Sequence, residues 1–397
     1  MKTPKFLFIV PLLLACLTVY GQDSTQSERN QKILSGAPGN TKMVLTGAAW
    51  FGFQGRLNNN SKTDVTSNFN SYGFAPVFLW KLSDKMFFES EIEINNGAFE
   101  LEFAKLSYTL NKYMTIGAGR MLSPFGAYGE RWEPAFLEKF PNSPVRGVEP
   151  YLPGGTHLNW GAIMGLDVRG GIPLGSAKMN YSLFISNGPS LDKGPETGGM
   201  IDYENLDDNN NNKEVGGRIG LLPFSNSSLE IGFSAKHGIA GNQGDLVYGK
   251  TGATAYAFDW NFVKPITSLK SIIGIRGQFN TLTVDKANYL DASGTAYTFD
   301  NTLKNNYMQF SFRPSMADNK FWKNIELLYR YNSLTAPKDA VWGEKDKNGN
   351  GGTIKRSDIG LCYWLSWKTG LRLAYESTTM PDATKKNEFL ARLVYGF

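Results

Sequence analysis

Between residues 160 and 169, Trp160, Ala162, Met164, Leu166 and Val168 fall on one face of an extended chain, and Ile163, Gly165, Asp167 and Arg169 on the other. The same period of two recurs along the sequence. Met179, Tyr181, Leu183 and Ile185 oppose Lys178, Asn180, Ser182 and Ser186, and Tyr256, Phe258, Trp260 and Phe262 oppose Asp259 and Asn261. Leu229, Ile231, Phe233 and Ala235 oppose Glu230, Ser234 and Lys236. Ile273, Ile275 and Phe279 oppose Arg276, Gln278 and Asn280, while Met308, Phe310 and Phe312 oppose Gln309, Ser311 and Arg313. Nearer the end, Ile325, Leu327, Tyr329 and Tyr331 oppose Glu326, Arg330 and Asn332, and Leu371, Leu373 and Tyr375 oppose Arg372 and Glu376. A period of two with one apolar and one charged face predicts strands, not helices.

Sixteen strands fit the pattern, near 42–56, 69–81, 86–94, 99–110, 113–121, 157–170, 177–187, 215–224, 228–237, 252–263, 268–282, 305–314, 322–333, 355–366, 369–377 and 387–397. A β-sandwich alternates in the same way, so connection lengths must discriminate. Tight connections such as LSDK, LNK and SWK follow even-numbered strands. Long or polar ones, including 122–156, 188–214, 283–304 and 334–354, follow odd-numbered strands. Short turns at one end and long loops at the other predict an all-β transmembrane antiparallel β-barrel, spanning 41–397, with both termini on the periplasmic side.

Composition agrees with many strands and polar turns: 43 glycines and 13% aromatic residues among 397. After residue 21 no run of about 18 apolar residues occurs, so no spanning helix is expected. Residues 1–21 carry Lys2 and Lys5 ahead of an apolar run from Phe6 to Leu17 and read as a signal peptide cleaved before Gln22. Leu-Leu-Ala before Cys16 offers a lipoprotein alternative, which the bulky Leu14 disfavours. Cleavage takes the formal charge from +5 to +3, nearly neutral, with no implied nucleic-acid partner. It leaves Cys362 as one cysteine without an internal disulfide. The polar segment 22–40 is too short for a plug domain, which predicts passive transport.

The stretches GAGRMLSPFGAYGERWEP (117–134), YSLFISNGP (181–189), VGGRIGLLPF (215–224), ELLYRYNSL (326–334), SDIGLCYWLSWKTGLRLAYE (357–376) and the terminal FLARLVYGF appear in that order. In them the chain resembles the bacterial outer-membrane porins related to the phosphate-selective porins O and P, in their Bacteroidetes-type form. The resemblance implies a barrel of about sixteen strands in the outer membrane, often a homotrimer, passing small hydrophilic solutes or ions, including anions such as phosphate. It also implies that Phe397, Tyr395 and Leu393 form the terminal signal read by the barrel-assembly machinery. Closure against the first strand then removes the two edges that lipid cannot solvate.

With apolar sets toward lipid, Arg169, Lys178, Arg218, Arg276, Arg313, Arg330 and Arg372 point inward and join Arg120, Arg131 and Arg146 as candidates for lumen selectivity. Carboxylates face inward too, among them Glu89, Glu91, Glu93, Asp167, Glu230, Asp259, Glu326, Glu376 and Glu388. Charges of both signs predict a transverse field, not a ladder of one sign, so the phosphate preference is not carried over. Two placements of 122–156 stay open: folded into the lumen, or exposed as an outer loop. DKNGNG (346–351) places Asp346, Asn348 and Asn350 as in half of a calcium loop, but position twelve is Ser357 where a glutamate should stand. No catalytic or cofactor motif surrounds the only histidines, His157 and His237, so no enzyme is expected. A barrel with a closed lumen, structural or adhesive, is the alternative function.

Overall fold

The computed structural model describes residues 42–57, 67–132, 137–144, 162–203 and 207–397. One closed barrel takes in sixteen strands, each antiparallel to its neighbours in sequence. They are β1 Lys42–Arg56, β2 Ser67–Lys81, β3 Met86–Asn95 and β4 Ala98–Asn111, then β5 Met114–Leu122, β6 Ala162–Leu174, β7 Ala177–Ser186 and β8 Glu214–Leu222. The second half holds β9 Leu229–Ile239, β10 Gly252–Ile266, β11 Ser271–Val284 and β12 Thr302–Arg313. It ends with β13 Ile325–Thr335, β14 Thr353–Trp364, β15 Gly370–Thr379 and β16 Lys385–Gly396. The predicted start of the sixth strand at 157 lies outside the described residues, as do the segments 1–21 and 22–40.

The first and last strands close the sheet in a register running from Ala48–Gly396 to Arg56–Glu388. Phe397 continues it: its N–H donates to the Gly47 carbonyl at 3.0 Å and its carbonyl accepts from the Gly47 N–H at 3.2 Å. Lys368 Nζ and Thr46 Oγ1 donate to the same carbonyl, at 3.1 and 2.6 Å. No edge of the barrel sheet is left open, which a sheet in hydrocarbon requires.

Connections mostly sort by end as the sequence predicts, but 314–324, between β12 and β13 on the short-turn side, is longer than 380–384, between β15 and β16 on the long-loop side. Between β3 and β4 the chain turns through two residues on the long-loop side, Asn96 (φ 49°) and Gly97 (φ 85°). Positive φ at both places matches a type I′ hairpin, for which Asn-Gly is the favoured pair. The rim is therefore low there. Elsewhere at that end the long loops carry two short ribbons of their own, Ser190–Leu191 with Ile201–Asp202 and Tyr289–Leu290 with Ala296–Tyr297. Around these ribbons Met200, Tyr289, Phe299, Ala340 and Trp342 form a packed apolar cluster under the outer loops.

Burial along the strands is inverted relative to a water-soluble protein. Leu166, Ile219, Phe233 and Ile359 are each more than half exposed on the outer face, while Asp167, Arg218, Asp259, Arg330 and Asp358 are buried inside. Each Leu or Phe held in water in this way costs about 1.5–3 kcal/mol, so the exterior is stable against hydrocarbon and not against water. Tryptophans divide between two roles. Trp322 and Trp367 are exposed near the short turns, with Lys368 Nζ 4.6 Å from the Trp367 ring, as interfacial anchors. Trp364 instead faces inward and donates to Glu326, and Trp342 is buried in the loop cluster with its indole N–H on the Gly198 carbonyl.

Candidate functional site in the barrel lumen

After β5 the chain leaves the wall and crosses the interior. Gly126 turns it with φ 67°, and its N–H donates to Ser234 Oγ. The next two N–H groups, of Ala127 and Tyr128, both donate to Gln278 Oε1, at 2.9 and 3.1 Å. A short π-helical turn, Tyr128–Trp132, follows. Tyr128 is fully buried and packs edge-on against Tyr307 of β12. The segment resumes at Leu137 with Phe140 fully buried beneath the Arg330 guanidinium, 4.3 Å from its ring. Of the two placements open at the level of sequence, residues 123–132 and 137–144 take the inner one.

Charged tethers fix this segment to the wall in three groups. Near β6 to β10, Glu130 binds Arg169, which also meets Asp167, and Asp167 accepts from Lys105 at 2.8 Å. Arg131 Nη1 lies 2.6 Å from Glu230, which also accepts from Arg218; Arg218 in turn forks onto Asp259 at 2.9 and 2.6 Å. In the middle, Glu138 receives Arg276 and the Tyr128 hydroxyl, while Lys139 bonds Glu326 and Ser311. Near β13 to β15, Arg330 joins Asp358 at 2.8 Å to the Asn142 carbonyl and amide oxygens at 3.0 and 2.6 Å. Arg356 donates to the Ser143 carbonyl, and Asn142 Nδ2 donates to Glu376 at 2.6 Å.

The predicted cations thus have distinct positions. Arg131, Arg169, Arg218, Arg276 and Arg330 converge on the inward segment, each against a carboxylate. Arg372 is fully buried in register with Cys362 and Arg392. Lys178 and Arg313 lie instead at the short-turn end, bonded to Ser227 Oγ and the Lys323 carbonyl. Arg120 differs from expectation. It stands in register with Ala104 and Met164, the set of the outward Leu106 and Leu166, and its guanidinium binds Glu100 and the Glu102 carbonyl. A register shift between Glu91 and Ile92 against β4 changes which residues of that strand face in, and Glu100 lies beyond it. Arg146 lies outside the described residues.

Asp346 Oδ1 accepts the backbone N–H of Asn348 and Asn350, at 2.8 and 2.9 Å. Those N–H groups, led by Asn350, hold its carboxyl below the usual range. The stretch is therefore a self-bonded turn. In the loop before β10, the Tyr248 and Val247 N–H groups and Lys193 hold the Asp245 carboxyl down at about 2, pinning that loop to the one carrying Lys193.

A closed, even-stranded barrel with an apolar exterior and a charged interior crossed by its own loop defines an outer-membrane β-barrel of the porin fold. Solved structures share that fold. OmpF of Salmonella typhi, solved in complex with daunomycin, superposes with a TM-score of 0.57 at 11% identity, covering 90% of this chain and 98% of that one. OprB of Pseudomonas putida gives 0.56 at 10% identity over 94% and 97% of the two chains. An anion-selective porin of Comamonas acidovorans gives 0.55 at 12% over 90% and 100%. Neither a family model nor a curated protein sequence matches the chain.

Proposed function

We propose that the chain is a passive diffusion porin, admitting small hydrophilic solutes or ions through a lumen narrowed by residues 123–132 and 137–144. The observation that carries this reading is the inward segment itself, tied by side chains to wall strands from β6 to β15 inside a barrel that is apolar outside and charged within. Such a segment restricts width while leaving the wall intact. The test is planar-bilayer recording of the mature protein refolded in detergent. Steady ohmic steps are expected; silence at every voltage would overturn the reading in favour of a closed structural or adhesive barrel.

Selectivity follows from the ion pairs. Arg131, Arg169, Arg218, Arg276 and Arg330 each stand against a carboxylate, so the net field along the pore is small. A reversal potential close to zero across a salt gradient is expected, and strong anion preference would contradict it. The likeness to phosphate-selective porins O and P rests on the six sequence stretches and carries homotrimeric assembly and a role for Phe397, Tyr395 and Leu393 in barrel assembly. Light scattering in detergent tests the first. Amino-terminal sequencing of the exported protein tests cleavage before Gln22.

A further inference from the structure

The tethers of the inward segment described above run to β6–β15, and the wall across from them carries charges of its own. On β3, Glu89, Glu91 and Glu93 alternate onto the inward face, each half-buried. Leu79 and Val77 of β2 stand opposite Glu89 and Glu91, on the same set as the buried Ala75. Successive side chains on such a set are about 7 Å apart, so the three carboxylates form a short ladder of one sign. The cations closest to it have other acids to meet: Lys105, opposite Glu89, bonds Asp167 at 2.8 Å, and Arg120 bonds Glu100, which stands opposite Glu93.

The opposite sign stands on β16. Arg392 is half-buried on the inward face, directly across from Arg372 of β15 on one side and from Gly52 of β1 on the other. Like charges facing each other across a strand pair are destabilising, and an anion between them relieves that repulsion. Gly52 has no side chain and Ser71 follows it on β2, so the wall beside the Arg392 guanidinium is built of small residues. Farther toward the long loops, Arg56 and Glu388 pair with each other at 3.4 Å. Glu93 acts on Arg392 across the gap, as does Glu138 of the inward segment. From β16 to β3 is three strand spacings, about 14 Å, part of which the two long side chains span. The signs are therefore sorted onto separate strands, unlike the closed pairs that hold the inward segment.

We propose that this part of the wall selects short zwitterionic peptides, taking the ammonium end on Glu91 and Glu93 and the carboxylate end on Arg392. The proposal rests on the porin reading and deepens it by naming the class of solute. A peptide with free ends is neutral overall and satisfies both signs at once, whereas a simple anion meets the carboxylates and a simple cation meets the arginines. A free amino acid carries both charges on one carbon and does not reach across the small residues between the two sets; a chain of two or three residues does. The planar guanidinium fixes the carboxylate end through paired hydrogen bonds and so orients the solute.

The test uses the whole refolded protein in planar bilayers, with triglycine as probe and interruption of the single-channel current as readout. Millimolar triglycine should interrupt the current, and N-acetyltriglycinamide, of similar size but without charged ends, should not. The double variant Glu91→Gln, Glu93→Gln and the single variant Arg392→Gln should each need roughly tenfold more triglycine for the same interruption, as loss of a hydrogen bond to a charged group implies. Heat-modified mobility on gels shows which variants form barrels, and the comparison of probes on the parent stands without them. Equal interruption by the neutral compound overturns the proposal, since width alone would then act. Interruption as strong by triglycinamide assigns the ladder to cations, and as strong by N-acetyltriglycine assigns the arginines to anions; either result overturns it too. Steady current indifferent to every probe removes the proposal and leaves the porin reading intact, whereas a silent parent removes both.

Discussion

Arg330 is fully buried, with Asp358 on one side of its guanidinium, Asn142 on another, the Phe140 ring across its plane and Glu138 3.7 Å from Nη1. Substitution by methionine keeps the volume but strands Asp358 without its main counter-charge. Removing one partner of a buried pair costs about 3–5 kcal/mol, and urea unfolding of the refolded protein in detergent should show that loss. Gly73 is constrained by space, since a Cβ there would enter the ring of Trp50 directly across the β1–β2 pair. Gly73→Val should force the indole from its site and cost about 1–3 kcal/mol by overpacking, visible as a lower unfolding midpoint. At this scale the sequence revealed which charges turn inward, because alternation encodes two solvents. It did not reveal their partners. Glu138, Asn142 and Gln278 meet residues more than a hundred positions away, and no spacing along the chain announces such meetings. Arg120 keeps the alternation set of Ile116 and Ala118, in register with Met164 and Leu166, and so stands apart from the inward cations.

At the scale of elements, the inward segment is held at its turn by one side chain that takes two backbone N–H groups. Gln278→Ala leaves the Ala127 and Tyr128 donors without that acceptor inside the barrel. Loss of such a group costs about 1–3 kcal/mol, enough to loosen the turn while Arg131 and Glu138 keep the remainder attached. Larger and noisier single-channel currents are expected in planar bilayers, and traces identical to the parent would mean that the turn does not set the width. Strands were legible to within a few residues, since one hydrophobic face repeats over eight or more positions. The course of 123–132 and 137–144 was not: these stretches have no period, and their placement is decided by contacts spread over β6 to β15. In DKNGNG the turn is set by local bonds, the Asn348 and Asn350 N–H groups on Asp346 Oδ1.

For the whole molecule, closure depends on the last strand. Phe397 exchanges hydrogen bonds with Gly47 and stacks on Phe74, with ring centroids 5.5 Å apart. Phe397→Ala should leave the finished barrel's far-ultraviolet spectrum intact while lowering the fraction that reaches the membrane, scored by heat-modified mobility on gels. Normal yield with the alanine would remove Phe397 from the assembly signal. Legibility at this scale came from loop sorting, which the Asn96–Gly97 turn on the long-loop side does not follow, because a two-residue turn serves either end.

The pairing of Thr46 with Phe397 joins positions 351 apart in the chain. Ring closure over so long a separation carries a large entropic barrier and governs speed more than final stability. Each intermediate short of that event keeps two raw margins able to recruit foreign strands. The longer closure takes, the longer those margins stay open to foreign strands, so a delay at this one pairing exposes the chain to aggregation.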